Sequence, residues 1–214
     1  MNFKEVARLS LENLKSFVYE AKQEGFVSTD IKTTLPDQTS VYSYRPFSDS
    51  RFPSMIYADT YNGNTIEGGQ ESVTVDLVLR WRNQYYGGTA EPFWSGSLQT
   101  IGEGLGLHVT LHGQVVPQVV SAFLKQALSR LPREFPVRGP REFRSSSVEF
   151  EGDSYSGEWL YTNEWDGLSL FEDPDPFLSY VGRERISLND IEVYSHSYQG
   201  GLVRDKYFPF VLLP

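Results

Sequence analysis

The stretch Gly69–Gly88, GQESVTVDLVLRWRNQYYGG, returns with altered side chains as Gly182–Gly201, GRERISLNDIEVYSHSYQGG. Laying Gly69 on Gly182 brings Glu71 onto Glu184, Val73 onto Ile186, Val75 onto Leu188, Val78 onto Ile191, Trp81 onto Tyr194 and Tyr85 onto Tyr198, and ends with Gly87-Gly88 on Gly200-Gly201. No gap is needed. Identical types coincide at glycines, a carboxylate and a tyrosine rather than at interchangeable aliphatics, which marks an internal repeat, and a repeat has to be recognised before any motif is interpreted. Each copy reads as a strand, a short turn and a second strand, with aliphatics on one face and a ring at Trp81 or Tyr194.

Outward from this unit the correspondence continues at slightly different offsets. Tyr57, Asp59, Tyr61 and Gly63 meet Tyr161, Asn163, Trp165 and Gly167, and Phe17 and Ala21 meet Phe123 and Ala127. The two phenylalanines lie in segments with helical spacing. Val6, Leu9, Leu11, Leu14, Phe17, Val18 and Ala21 predict a first helix ending at Gly25, a residue that tolerates the left-handed backbone of a C-terminal cap. Pro117, Val120, Phe123, Leu124, Ala127, Leu128 and Leu131 predict a second, opened by one proline and closed by Pro132. Strands are expected at Val41–Tyr44, Met55–Tyr61, Ser72–Leu79 running on through Arg80–Tyr86, Val148–Phe150, Glu158–Trp165, Arg185–Leu188 and Ile191–Tyr198, with tight turns at Asn62-Gly63 and Asn189-Asp190.

The order helix, strands, helix, strands predicts an α+β fold. It would be an internally duplicated helix plus antiparallel strands, the two halves forming a curved sheet with helices packed on one side. The chain is read as a single domain over 1–214, with pseudo-repeats at about 14–88 and 117–204, an insertion at about 89–116 and a C-terminal tail at 205–214.

With 214 residues and 39% hydrophobic content, the chain is long enough for a full core, and its 14% aromatic share favours β structure. The absence of cysteine excludes disulfides and thiolate chemistry. A net charge of -9 works against a phosphate backbone as partner, so no nucleic acid is expected. The basic cluster Arg133, Arg138, Arg141 and Arg144 reads as a solvated loop balancing Glu134 and Glu142. No charged-then-apolar leader pattern and no membrane-length apolar run is visible, and the expected location is cytoplasmic.

Catalytic signatures are weak. The Gly102-x-Gly104-x-Gly106 run lacks the Gly-Lys-Ser/Thr of a phosphate loop. His108 and His112 do not stand in a helical metal-binding pattern, and His196 has no identifiable partner. No cofactor or metal is expected. Glu71 and Glu184 are the chemically interesting pair: brought to one cleft, two like charges would perturb each other's protonation and could work as acid and base, whereas separately each would anchor its own repeat. The second role is favoured, because a repeated residue is expected to do a repeated job. Trp81, Tyr85, Tyr194 and Tyr198 could line an apolar pocket with polar tips. The expected function is therefore non-catalytic binding or sensing of a small molecule in a cleft between the repeats, lined by Glu71, Trp81, Tyr85, Glu184, Tyr194 and Tyr198. The alternatives are a hydrolase or lyase using the paired glutamates, and a protein-interaction module using the apolar tail Tyr207–Leu213.

Taken together, Tyr57-Ala58-Asp59-Thr60-Tyr61, Gly69-Gln70-Glu71, Asn83-Gln84-Tyr85-Tyr86-Gly87, Phe123-Leu124-Lys125, Pro136-x-Arg138-Gly139-Pro140, Gly182-x-Glu184 and Tyr198-x-Gly200-Gly201 resemble the uncharacterised bacterial domain family known as domain of unknown function 5680. The resemblance covers about residues 14–204. It implies a small domain that is often joined to a helix-turn-helix, and it brings no activity with it. The Thr89–Val116 insertion and the Glu172–Tyr180 segment depart from the family's compact pattern.

Overall fold

The computed structural model describes residues 3–27, 32–46, 54–63, 66–89, 116–166 and 179–203. The tail Tyr207–Leu213, the glycine run Gly102–Gly106, the histidines His108 and His112, and nearly all of the 89–116 insertion and of Glu172–Tyr180 lie outside them. No described helix is long and apolar enough to cross a membrane.

Helix α1 spans Phe3–Val27 and α2 spans Val116–Leu128. Nine strands follow the order β1 Lys32–Thr34, β2 Ser40–Tyr44, β3 Met55–Asn62, β4 Ile66–Val75, β5 Val78–Thr89, β6 Glu142–Phe150, β7 Asp153–Asp166, β8 Ser179–Leu188 and β9 Ile191–Leu202. They form one antiparallel sheet in the order β1-β2-β3-β4-β5-β9-β8-β7-β6. This corrects the expected α+β class of two halves with helices packed on a curved sheet: the described residues are largely β, a single nine-stranded sheet carrying two helices. The physical reason lies at β5 and β9. Their backbone groups pair from Trp81↔Leu202 to Thr89↔Tyr194, so neither set of strands keeps a free inner edge and the two merge into one ladder.

Alternation along the strands turns one face inward. Tyr57 on β3, Glu71, Val73 and Val75 on β4, Trp81, Asn83 and Tyr85 on β5, and Tyr194, His196 and Tyr198 on β9 are all buried. Side chains of α1, including Leu14, Phe17, Val18 and Ala21, enter one core cluster with Tyr42, Tyr57, Val73, Trp81 and Tyr85. Those of α2, including Val120, Phe123 and Ala127, enter a second with Trp159, Tyr161, Ile186 and Tyr194. Tyr180 and Tyr198, although carried by β8 and β9, belong to the first cluster, so the core is continuous across the seam. The outer face is polar and exposed, with ion pairs such as Arg183–Glu192 and Arg144–Glu142 that contribute little individually.

Helix α1 does not stop at Gly25. It runs to Val27, and the missing side chain of Gly25 makes room for the ring of Tyr42, whose hydroxyl donates to the Ala21 carbonyl at 3.0 Å. The short turn expected inside the first repeat unit falls within Ser72–Leu79, where β4 ends at Val75 and β5 begins at Val78. Asp76 and Leu77 take φ of 50° and 66° and turn the chain into the β4–β5 hairpin, as Asn189 and Asp190 (48° and 64°) turn β8 into β9. Two successive positive φ values define the tight turn that matches the twist of paired strands, and they suit Asn, Asp and Gly. Leu77 gains nothing there, being 86% exposed. Replacing it by glycine removes the clash of its Cβ at a left-handed backbone, worth about 1 kcal/mol. Leu77→Gly is therefore expected to raise the melting temperature by roughly 2–4 °C, read by calorimetry against wild type; a lower melting temperature would contradict the turn assignment.

Candidate functional site

Strand register sets two rows of inward-facing residues side by side. One row crosses β3-β4-β5-β9-β8 as Asp59↔Glu71↔Asn83↔Gly200↔Tyr180. The other crosses β7-β8-β9-β5-β4 as Asn163↔Glu184↔His196↔Gly87↔Glu67. Between them runs Gly69↔Tyr85↔Tyr198↔Gly182. The two glycines are obligatory: each tyrosine ring lies flat across its glycine partner, where a Cβ would collide with the ring. A half-turn about the Tyr85↔Tyr198 pair exchanges the two rows.

The same side-chain bonds are made in both rows. Tyr57 donates to Glu71 Oε1 at 3.0 Å, and Tyr161 to Glu184 Oε2 at 2.7 Å. Asn83 Nδ2 donates to Glu71 Oε2 at 2.7 Å, and His196 Nδ1 stands 2.8 Å from Glu184 Oε1. Tyr85 donates to Asp59 Oδ1 at 2.6 Å, and Tyr198 to Asn163 Oδ1 at 2.7 Å. Glu71 and Glu184 are 1% and 0% exposed, and a carboxylate can stay ionised at such a depth only with partners of this kind.

The neutralising cations come from outside the strands and differ between the rows. Lys22 of α1 lies 2.7 Å from Glu71 Oε1 and also donates to the Val137 carbonyl. Arg138 Nη1 lies 3.7 Å from Glu184 Oε1. Burial alone would raise both glutamates, but it is outweighed: Lys22 and Arg138 hold Glu71 below the usual carboxylate range, and Arg138 with His196 takes Glu184 down to about 2. Burial lowers the Lys22 ammonium against the pull of Glu71. Because Glu184 is ionised it can only accept, so His196 Nδ1 carries the proton of their bond and Nε2 is left to face elsewhere.

Arg138 sits in Phe135–Gly139, five consecutive buried residues that cross over the sheet. Proline at 136 and 140 stiffens the segment. It is held down by Lys22 on the Val137 carbonyl, by Asn163 Nδ2 on the Gly139 carbonyl at 2.9 Å, and by Phe135 stacked on Trp165 at 4.6 Å. The basic cluster therefore divides. Arg144 is exposed and pairs with Glu142 as the sequence suggests, whereas Arg138, expected in a solvated loop, is 5% exposed and stacks 4.6 Å from the Tyr85 ring. Among the described residues its Nε and Nη2 have no hydrogen-bond partner, nor has His196 Nε2.

The six residues singled out from the sequence all lie on this inward face. Glu71, Tyr85, Glu184 and Tyr198 belong to the two rows and their axis. Trp81 packs in the first core cluster, with Lys22 Nζ 5.9 Å from its ring, and Tyr194 lies 5.7 Å from His196. The glutamates stand on β4 and β8 with β5 and β9 between them. Each has both oxygens engaged within its own row, neither holds a proton to give, and neither reaches solvent. Lys22, Asn83, Arg138, Tyr57 and Tyr161 are not among these six, and the sequence shows no partner for His196. The alignment that pairs Glu71 with Glu184 also pairs Asn83 with His196 and Tyr57 with Tyr161, which was the available signal. Among the described residues no group of three or more His, Asp and Glu could hold a metal ion. On the opposite face a groove of about 390 Å³ opens over the seam beside Arg82, Gln84, Val181 and Gln199.

Compared with family models, with curated proteins and with solved structures, the chain finds no match in any of the three.

Asp59 marks the point where the rows differ in charge, since its counterpart is Asn163. Burial, and then the neighbouring Glu71 charge, push its carboxyl up to about 7, against the bond from Tyr85. A folded-state value above the unfolded one means that stability is fully present below the ordinary 3.8 and is lost as pH rises through about 7. Asp59→Asn reproduces Asn163 and keeps an acceptor for Tyr85. Urea denaturation from pH 4 to 8 should show the variant more stable than wild type at pH 8 by about 1–3 kcal/mol, the gap closing toward pH 4. Parallel curves would rule the assignment out.

Proposed function

We propose that this chain is a non-catalytic module that binds or senses a small molecule at the seam between its two sets of strands. The observation that carries this reading is the group of unpartnered nitrogens on Arg138 and His196. Nearly every buried polar group in a folded protein finds a partner, and here Arg138 Nε and Nη2 and His196 Nε2 have none, as Trp81 Nε1 on the same face has none. Both side chains converge on one Glu184 oxygen and on one face of the core at Tyr85, whose ring centroid is 5.1 Å from that of His196. A bound molecule would complete the layer.

The resemblance to the domain of unknown function 5680 family supports a sensing role in a bacterial cytoplasm, because such domains are often joined to DNA-binding modules. Acid–base catalysis by the two glutamates is less well supported, since both are ionised, internally paired and out of reach of solvent.

The test is thermal shift of the full chain against a broad metabolite library, with native mass spectrometry of the freshly purified protein. One chemical class is expected to raise the melting temperature by several degrees, about what a ligand in hundredfold excess over its Kd delivers. No shift with any compound and no co-purified mass would sink the binding function.

A further inference from the structure

The unpartnered atoms of Arg138 are not scattered around the guanidinium. Nε and Nη2 lie along one side of its plane and direct their N–H bonds in parallel, the edge that takes both oxygens of a carboxylate at once. The remaining nitrogen, Nη1, is the one turned to Glu184 at 3.7 Å. The guanidinium is thus already neutralised on one side, and on the other it presents two buried N–H groups with no partner. It is fixed there by the Tyr85 ring 4.6 Å from its central carbon and by the rigid proline-flanked segment that carries it, so a ligand would pay little to order it.

The surroundings limit the charge of that ligand. Lys22 and Arg138 are the cations the structure places in the layer, against the carboxyl groups of Glu71, Glu184 and Asp59. A bound monoanion adds one charge to be shared with Arg138, whereas a phosphate dianion adds two against the same carboxyl groups, so the setting favours the smaller charge. Given a binding function at the seam, on which this assignment rests, we propose that the molecule bound there carries a carboxylate that takes the Nε–Nη2 edge of Arg138, beside His196.

Melting of the full chain is measured at constant ionic strength with acetate, propionate and benzoate, with acetamide and benzamide as neutral shape controls, and with inorganic phosphate. Wild type and Arg138→Lys, which keeps the charge but loses the edge, are compared. At hundredfold excess over Kd a carboxylate should raise the wild-type melting temperature by about 5–10 °C, the amides and phosphate should leave it unchanged, and Arg138→Lys should bind at least about tenfold more weakly. Since the lysine variant could fail to fold, wild type is also crystallised with 4-bromobenzoate and the bromine located by anomalous scattering. A carboxylate on Arg138 supports the assignment whatever the variant does. Phosphate binding alone, or binding of some other class equally by wild type and variant, overturns the carboxylate assignment and leaves the binding function standing. If nothing in this series or in the metabolite library binds, and only water occupies Nε and Nη2, both are overturned.

Discussion

Two glutamates are ionised under the inward face of the sheet, and their burial is the constraint on which the rest of the molecule depends. An isolated carboxylate at that depth costs many kcal/mol, and removing one partner from a buried ion pair typically costs about 3–5 kcal/mol. The strands alone meet part of the requirement through Tyr57 and Asn83, and through Tyr161 and His196. The positive charges must be brought in. Lys22 comes from α1 and Arg138 from the segment after α2, so the electrostatics of the layer fix where those two pieces of chain lie. Lys22 also bonds the Val137 carbonyl, which ties α1 to the segment carrying the other cation.

The two rows share three side-chain bonds and disagree in charge. Tyrosine, glutamate and tyrosine recur, whereas Asp59 faces Asn163 and Asn83 faces His196 across the half-turn. The alignment of Phe17 and Ala21 with Phe123 and Ala127 sets Leu128 opposite Lys22, and Leu128 is buried in the second core cluster. With leucine at the position of α2 that matches Lys22, Glu184 takes its charge partner from Arg138, which is only half used by that contact. The unfilled nitrogens are thus a direct result of the broken symmetry, and they fall where the two sets of strands meet.

Much of the strand pattern was legible because aromatic and β-branched runs bounded by turn residues have few other readings. The helices were found from their spacing, and their ends moved by two or three residues. The fold class was misread because local patterns do not reveal how β5 and β9 treat their edges: two antiparallel units can stay separate or pair through their last strands, and only the backbone ladder decides. The turn expected inside the first repeat unit was not placed at Asp76-Leu77 because leucine is a poor signal for a left-handed backbone, although the alignment with Asn189-Asp190 pointed there. Arg138 was misplaced for a related reason. In a run holding Arg133, Arg141 and Arg144, nothing local separates the arginine that is buried from those at the surface, since its partner Glu184 lies far along the chain.

The claim that buried carboxylates organise this fold is tested most directly by a double-mutant cycle on Lys22 and Glu71, with Lys22→Met, Glu71→Gln and the combined variant compared by urea denaturation at pH 7. Each single change should cost about 3–5 kcal/mol. The combined change should cost less than their sum by at least roughly 1.5 kcal/mol, because the second substitution removes the charge that the first leaves stranded. Additive losses, with no coupling between the two sites, would contradict the account.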